Sequence, residues 1–228
     1  MKYDLHIHSK YSADGVLEPE KIVKIAMRVG LDGIAVTDHE TIKGGVKAKK
    51  YENDDLIVIV GSEIETERGE IIGLFLEEEV KSRSLQEVID EIKDQNGIAV
   101  VPHPFDRLRR LTFHPTEEDV KFIDCIEGFN SRCVFQRYNK RAIEYGIEHG
   151  LAITAGSDAH FGGQIGDAFI LAESSDEEDL MRRIMKKEIS FNGRLSNPLY
   201  LVIGKVLTQV QSFRVHGSRL DNRSRLNE

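Results

Sequence analysis

Residues 134–160 read VFQRYNKRAIEYGIEHGLAITAGSDAH. Up to His149 the apolar side chains recur at helical spacing. Gly150 then offers the left-handed backbone that ends a helix, and residues 151–155 are an apolar run of strand length. Asp158 and His160 follow at once, two apart, so an extended chain shows both on one face. Helix, glycine, apolar strand, polar strand end: this is the repeating unit of a parallel α/β sheet. The same order recurs at Gly30, before a strand at residues 33–37, and at Gly97, before a strand at residues 98–101.

Outward from these units, residues 3–7 read as a first strand and residues 19–29 as a helix, with Pro19 near its start. Residues 56–61 and 71–76 are two more strands. Ser84 and Glu87 are spaced as a capping box that opens a helix, and Thr116 with Asp119 resembles another helix start. Residues 124–129 read as a strand, and strands at 169–172 and 189–191 flank a helix over 177–187. About seven βα units fit before residue 194, which predicts a parallel sheet, open or closed into a barrel. The chain changes character after Pro198. Residues 1–194 are therefore expected to form one domain, and residues 195–228 a C-terminal helix followed by a disordered polar tail.

With 228 residues and 40% hydrophobic content, the chain has room for one sizeable core. Its net charge of -8, from 31 basic and 39 acidic residues, argues against a general nucleic-acid binder. A small phosphorylated substrate met by a few local arginines remains compatible. Cys125 and Cys133 form no Cys-x-x-Cys pair, as expected in a reducing compartment. No apolar run approaches the roughly 18 residues of a membrane span, and a strand beginning at residue 3 leaves no room for a signal peptide. A cytoplasmic protein without a membrane or stable nucleic-acid partner is expected.

Five strand ends carry His, Asp or Glu. His6 and His8 stand in Asp4-Leu5-His6-Ile7-His8, where Asp4, His6 and His8 should face one way and Leu5 and Ile7 the other. Asp38-His39, Glu63, His103 and the Asp158/His160 pair close the other four. In parallel βα folds these ends form one rim, where sites are built. Carboxylates gathered there without cations would repel one another, and imidazole with carboxylate, lacking thiolate, suits Zn, Mn or Fe.

Taken together, Asp4-Leu5-His6-Ile7-His8-Ser9, Ser12-Ala13-Asp14-Gly15, Val36-Thr37-Asp38-His39, Gly61-Ser62-Glu63, Pro102-His103-Pro104 and Gly156-Ser157-Asp158-Ala159-His160 resemble the polymerase and histidinol phosphatase (PHP) superfamily, in its order and over residues 1 to 194. The resemblance implies a distorted (βα)7 TIM-like barrel with two or three divalent ions at the C-terminal rim. It implies that His6, His8, Glu63 and Asp158 hold one ion. Glu63 would bridge to a second, held also by His103, and Asp14, His39 and His160 would hold a third. Relatives often add a histidine near residues 124–130, where this chain offers only Glu127 and Asn130, with Cys125 a remote third. Some carry another on the strand after the bridging Glu, where Ile71 and Ile72 stand.

Such a centre suits hydrolysis of a small phosphate ester or nucleotide, with Glu63 setting the spacing of two ions. His39 or His160 would serve as general acid if not ligated. Arg107, next to the His103 motif, and Arg132 are the expected phosphate-binding residues, since a guanidinium fork matches phosphate oxygens. Two other functions compete: hydrolysis of an amide or carbamate on the same centre, and a non-catalytic module.

Overall fold

The computed structural model describes residues 1–200 and 202–203. Met1–Ser196 forms one compact unit, and the chain from Asn197 on is divided from it. Beyond that division, residues 199–200 and 202–203 are helical; the rest of the expected helix and polar tail lies outside the described residues.

The Met1–Ser196 unit is α/β. Strands β1 (Lys2–Ile7), β2 (Gly33–Val36), β3 (Ile57–Thr66), β4 (Gly69–Leu74), β5 (Ile98–Val101), β6 (Cys125–Asn130) and β7 (Ala152–Gly156) lie side by side in chain order. Past β7, Ala159 forms a parallel bridge with Ile7, and the His8 N–H donates to the Ala159 carbonyl at 2.9 Å. The seven strands thus nearly close a TIM-like barrel. β8 (Ala168–Leu171) pairs antiparallel with the start of β1, and β9 (Ser190–Gly193) with β8. Helices α1 (Pro19–Arg28), α2 (Lys43–Lys49), α3 (Leu85–Asp94), α4 (Gln136–Glu148) and α5 (Glu177–Met185) pack around it.

The barrel is distorted at β4, which runs antiparallel to both β3 and β5. An all-parallel sheet was expected. Only Glu67 and Arg68 separate β3 from β4, and a parallel pairing needs a crossover of a dozen or more residues. β8 departs in the same way. All other neighbours in the barrel are parallel, so their C-terminal ends share one rim.

Tyr3, Leu5, Ala35, Ile59, Ile72 and Val100 meet in the cluster that fills the barrel. Ile22, Val23 and Ala26 of α1 cover Ile34 and Val36 from outside. Ile22 is fully buried, so its truncation to alanine should cost about 2–5 kcal/mol. Leu5 and Ile7 fall in different clusters, because β1 shifts register against β2 between Asp4 and Ile7. The simple alternation read from the sequence breaks there.

Four local expectations need correction. The capping box at Ser84 does not form: the Leu85 N–H donates to Glu67 at 2.8 Å, and the Ser84 side chain caps nothing. Thr116 opens turns rather than a helix, its N–H and hydroxyl donating to Asp119 at 2.7 and 2.8 Å. The left-handed residue after α3 is Asn96, with φ 58, rather than Gly97. Finally, α2 is a helix the sequence hid behind Gly44 and Gly45. A Cβ on Gly44 would stand 1.7 Å from Asp38 Oδ2, so glycine is there to let the helix approach that carboxylate.

Candidate metal centre

The rim gathers all eight residues marked as ligands. They fall into overlapping groups whose donor atoms lie within 4.8 Å of one another: His8, Asp14, His39 and His160; His6, His8 and Asp158; and His6, Glu63 and His103. A fourth group, His39, Glu63 and Glu70, adds a residue the sequence reading missed. His6 and His8 meet Nε2 to Nε2 at 3.0 Å, and Glu63 Oε2 stands 3.5 and 3.4 Å from the same two atoms. Glu63 Oε1 lies 2.8 Å from His103 Nε2. Asp158 Oδ1 lies 3.5 Å from His8 Nε2, and Asp14 Oδ2 lies 2.7 Å from His160 Nε2.

The fold places each of these. His6 and His8 end β1, and Gly156 at the end of β7 admits them, since a Cβ there would stand 2.3 Å from His6 Cβ. Glu63 lies within β3, paired in parallel with His39, which follows β2. His103 and Asp158 hold left-handed backbone, φ 30 and 52. Such conformations are strained in non-glycine residues and persist where the surroundings over-determine them, often at functional sites.

A second layer orients the ligands. Glu127 Oε1 lies 3.0 Å from His6 Nδ1, and its Oε2 accepts from the His103 N–H at 2.7 Å and from Asn130 at 2.9 Å. Both Glu127 oxygens thus meet neighbouring donors, and Glu127 falls in none of the four groups above. Asn130 donates to Asp158 at 3.2 Å. Ser12 Oγ lies 3.0 Å from His8 Nδ1, and Asp38 accepts from both Ser9 and Ser12. Asp4 turns away from the cluster to accept the Ser157 and Gly166 N–H groups at 2.8 and 2.9 Å. Cys125 is part of the barrel core.

The site packs many titratable groups together with little exposure to water. Burial opposes ionisation of Glu63, yet His6, His39 and His103 hold its carboxyl well below the usual range. Burial likewise opposes Asp158, but Arg109, His6 and Arg132 keep it ionised. Burial and the charge of Glu63 push Glu70 up to about 9. Burial, then His160, pushes His8 down to about 3, and burial with Arg109 lowers His103. Burial opposes protonation of His6, but Glu127, Asp158 and Glu63 raise its pKa well above the usual value. Neutral imidazole is the form that ligates a metal, so His6 would release its proton on binding one. Asp14 Oδ1 and His103 Nδ1 are buried without a hydrogen-bond partner, and the Glu70 carboxylate is buried against His39 and His103 at 3.7 and 3.8 Å. Buried polar groups are rarely left unpaired. Divalent cations fit this donor set.

Glu70 corrects one expectation directly. On the strand after Glu63, Ile71 and Ile72 were noted as offering no ligand; one residue earlier stands a carboxylate that reaches the cluster. The two-residue hairpin turns β4 back over β3 and brings it there.

The arginines also sort differently. Arg132 meets Asp158 at 3.3 Å and His160 Nε2 at 3.0 Å. Arg107, the other expected phosphate-binding residue, is exposed and lines a separate pocket. Arg109 takes the place at the cluster, donating to Asp158 at 2.5 Å and to Asn130 at 3.3 Å. The cause is a tight turn at Asp106, whose carbonyl accepts the Arg109 N–H at 3.1 Å and whose carboxylate accepts its Nε at 3.3 Å. The Asp106/Arg109 spacing was the available signal.

A family model described as PHP domain matches residues 4–190. An uncharacterized protein of Methanocaldococcus jannaschii is 49% identical over 117 residues, 46% of this chain and 68% of that one. A second from the same organism is 36% identical over 176 residues, 75% of this chain and 70% of its own length. Among solved structures, a two-domain protein from Bacteroides vulgatus containing a predicted PHP-like metal-dependent phosphoesterase superposes with TM-score 0.71 at 20% identity, over 85% of this chain and 65% of that one. At that identity the likeness speaks for the fold.

Proposed function

The chain belongs to the PHP domain family, and from that premise we propose that it hydrolyses a small phosphate ester or nucleotide at a di- or trinuclear metal site. The observation that supports this most is the overlap of four His/carboxylate groups on one rim with two arginines reaching the same carboxylate, Asp158. When bound, two or three Zn, Mn or Fe ions supply an activated water and neutralise phosphate charge.

The chain's own residues do the rest. His6, His8 and Asp158 would hold one ion, Glu63 and His103 a second, with Glu70 standing for the imidazole that some relatives carry on that strand, and Asp14, His39 and His160 a third. Glu63, facing His6, His8 and His103 at once, sets the spacing of the first two. Glu127, Ser12 and Asn130 fix the orientation of the rings and of Asp158, as outer partners do in metal sites. Arg109 and Arg132 are partly exposed and are positioned to take phosphate oxygens. Guanidinium groups aimed at such oxygens gain most in the transition state. His39, with its side chain 30% exposed, is the group from which a proton reaches the leaving oxygen if it is left free of metal.

Protein reconstituted with Zn, Mn or Fe and assayed on phosphomonoesters, phosphodiesters, amides and carbamates tests this. Turnover of the phosphate esters is expected. Turnover confined to amides or carbamates overturns the phosphate assignment, and no turnover with full metal occupancy favours a non-catalytic module.

A further inference from the structure

Resting on the phosphoesterase reading of the rim, we propose that the pocket walled by Phe105, Arg107, Arg137, Tyr138 and Arg141 binds a second phosphate group of the substrate, remote from the one that is cleaved. The pocket has a volume of about 390 Å³, within the range of small-molecule sites. It concentrates three guanidinium groups in a chain of net charge -8. Arg68, Arg109, Arg132 and Arg194 each pair with a carboxylate. Among the described residues, Arg107, Arg137 and Arg141 pair with none.

Aromatic rings hold two of these cations, Arg137 and Arg141. The Arg141 guanidinium lies 4.2 Å from the Phe105 ring centre. That of Arg137 lies 4.4 Å from the Phe135 ring and 5.1 Å from Tyr138. One Arg137 N–H donates to the Tyr138 hydroxyl at 3.4 Å, and a guanidinium over a ring face has further N–H groups to offer a phosphate. His114, 6.1 Å from Phe105 in a stacked arrangement, adds to the covering of that ring. The pocket therefore offers donors to an anion more than a bare ring to a base. Burial, then the charges of Arg107 and Arg141, lowers the pKa of His114, in keeping with a positive local field.

Both walls are tied to the metal centre. Phe105 and Arg107 follow His103 by two and four residues, so the Arg107 Cα lies within about 14 Å of that ligand by chain reach alone. On the opposite wall, Asn139 of α4 exchanges hydrogen bonds with the Asn130 backbone at 3.0 and 3.1 Å, and Asn130 holds Asp158. Within that reach a substrate with two phosphates joined by a spacer would engage the rim with one and this pocket with the other, which a lone phosphate cannot do.

Two measurements test the proposal on the metal-loaded protein. In the first, arginine Nε–Hε resonances are followed by NMR as inorganic phosphate is added, with Arg137→Gln and Arg141→Gln used to assign signals. Shifts of the Arg107, Arg137 and Arg141 signals that saturate support the site. Signals that stay fixed at tens of millimolar phosphate overturn it, whatever the activity of the rim. In the second, kcat/KM is compared for hexyl phosphate and hexane-1,6-diol bisphosphate. The Arg137→Gln/Arg141→Gln variant should lose on the order of tenfold or more in the bisphosphate-to-monophosphate ratio, the worth of a charge-assisted hydrogen bond. Saturating shifts with an unchanged ratio overturn the substrate assignment and leave a pocket for free phosphate. If neither compound turns over, the phosphoesterase reading is judged by the wider substrate panel above, and the NMR titration still decides the pocket.

Discussion

The Arg109 guanidinium donates to the Asp158 carboxylate at 2.5 Å, which joins the segment after β5 to the end of β7 across the metal cluster. Arg109→Ala should lower kcat/KM on the best phosphate ester about 10- to 150-fold, the worth of one charge-assisted hydrogen bond. Arg109→Lys should recover only part, because a point charge cannot reproduce the fork. Steady-state kinetics with verified metal content check this; a loss under threefold for the alanine variant removes Arg109 from the phosphate site.

Metal content is the next test. Four overlapping donor groups lead to the expectation of at least two equivalents of transition metal per chain, measured by elemental analysis after reconstitution. Chelation should lower Tm, since Glu63, Asp158 and Asp14 would lose the cations that compensate their mutual repulsion. Less than one equivalent per chain rejects the multinuclear site.

Glu63→Gln should abolish turnover while the circular dichroism spectrum stays that of the wild type. Glu63 faces His6, His8, His39 and His103 within 3.5 Å, and an amide cannot bridge two cations as a carboxylate does. Glu70→Gln should act more gently, reducing metal occupancy by up to one equivalent. Wild-type kcat in Glu63→Gln would falsify the bridging role.

Away from the site, Asp119 accepts from Arg68 and from Thr116. Burial raises its pKa, but these partners outweigh burial and hold the carboxyl below its usual range. A carboxyl depressed by folding adds stability above its unfolded pKa of about 3.9, and that contribution disappears as pH falls through the lower folded value. Asp119→Asn should therefore cost about 1 kcal/mol at neutral pH and progressively less below about pH 4. Urea unfolding of both proteins at pH 7 and pH 3 measures it; an equal deficit at both values rules out the ionic contribution.

Much of the centre was legible because strand ends are local. His6, His8, His39, Glu63, His103, Asp158 and His160 each follow an apolar run, and parallel strands bring such ends to one rim. Arg109 was not legible in this way. Arg107 is nearer to His103 in sequence than Arg109 is, and the turn at Asp106 decides that the more distant side chain swings inward. Glu70 was hidden for a related reason, since that strand was expected to run parallel, and a residue at its start then lies far from the rim.

By itself the sequence determined the alternation of strands and helices, because apolar periodicity and helix-ending residues act over a few positions. It also determined which residue types the rim carries. Only the tertiary structure decided that β4 turns back on β3, that Glu127 meets both His6 and His103, and that Arg109 reaches Asp158 while Arg107 faces another pocket. Each of these depends on which side chain is nearer across a gap between segments far apart in the chain. That distance is set by barrel closure and by how the connecting loops pack, and no local pattern of residues encodes it.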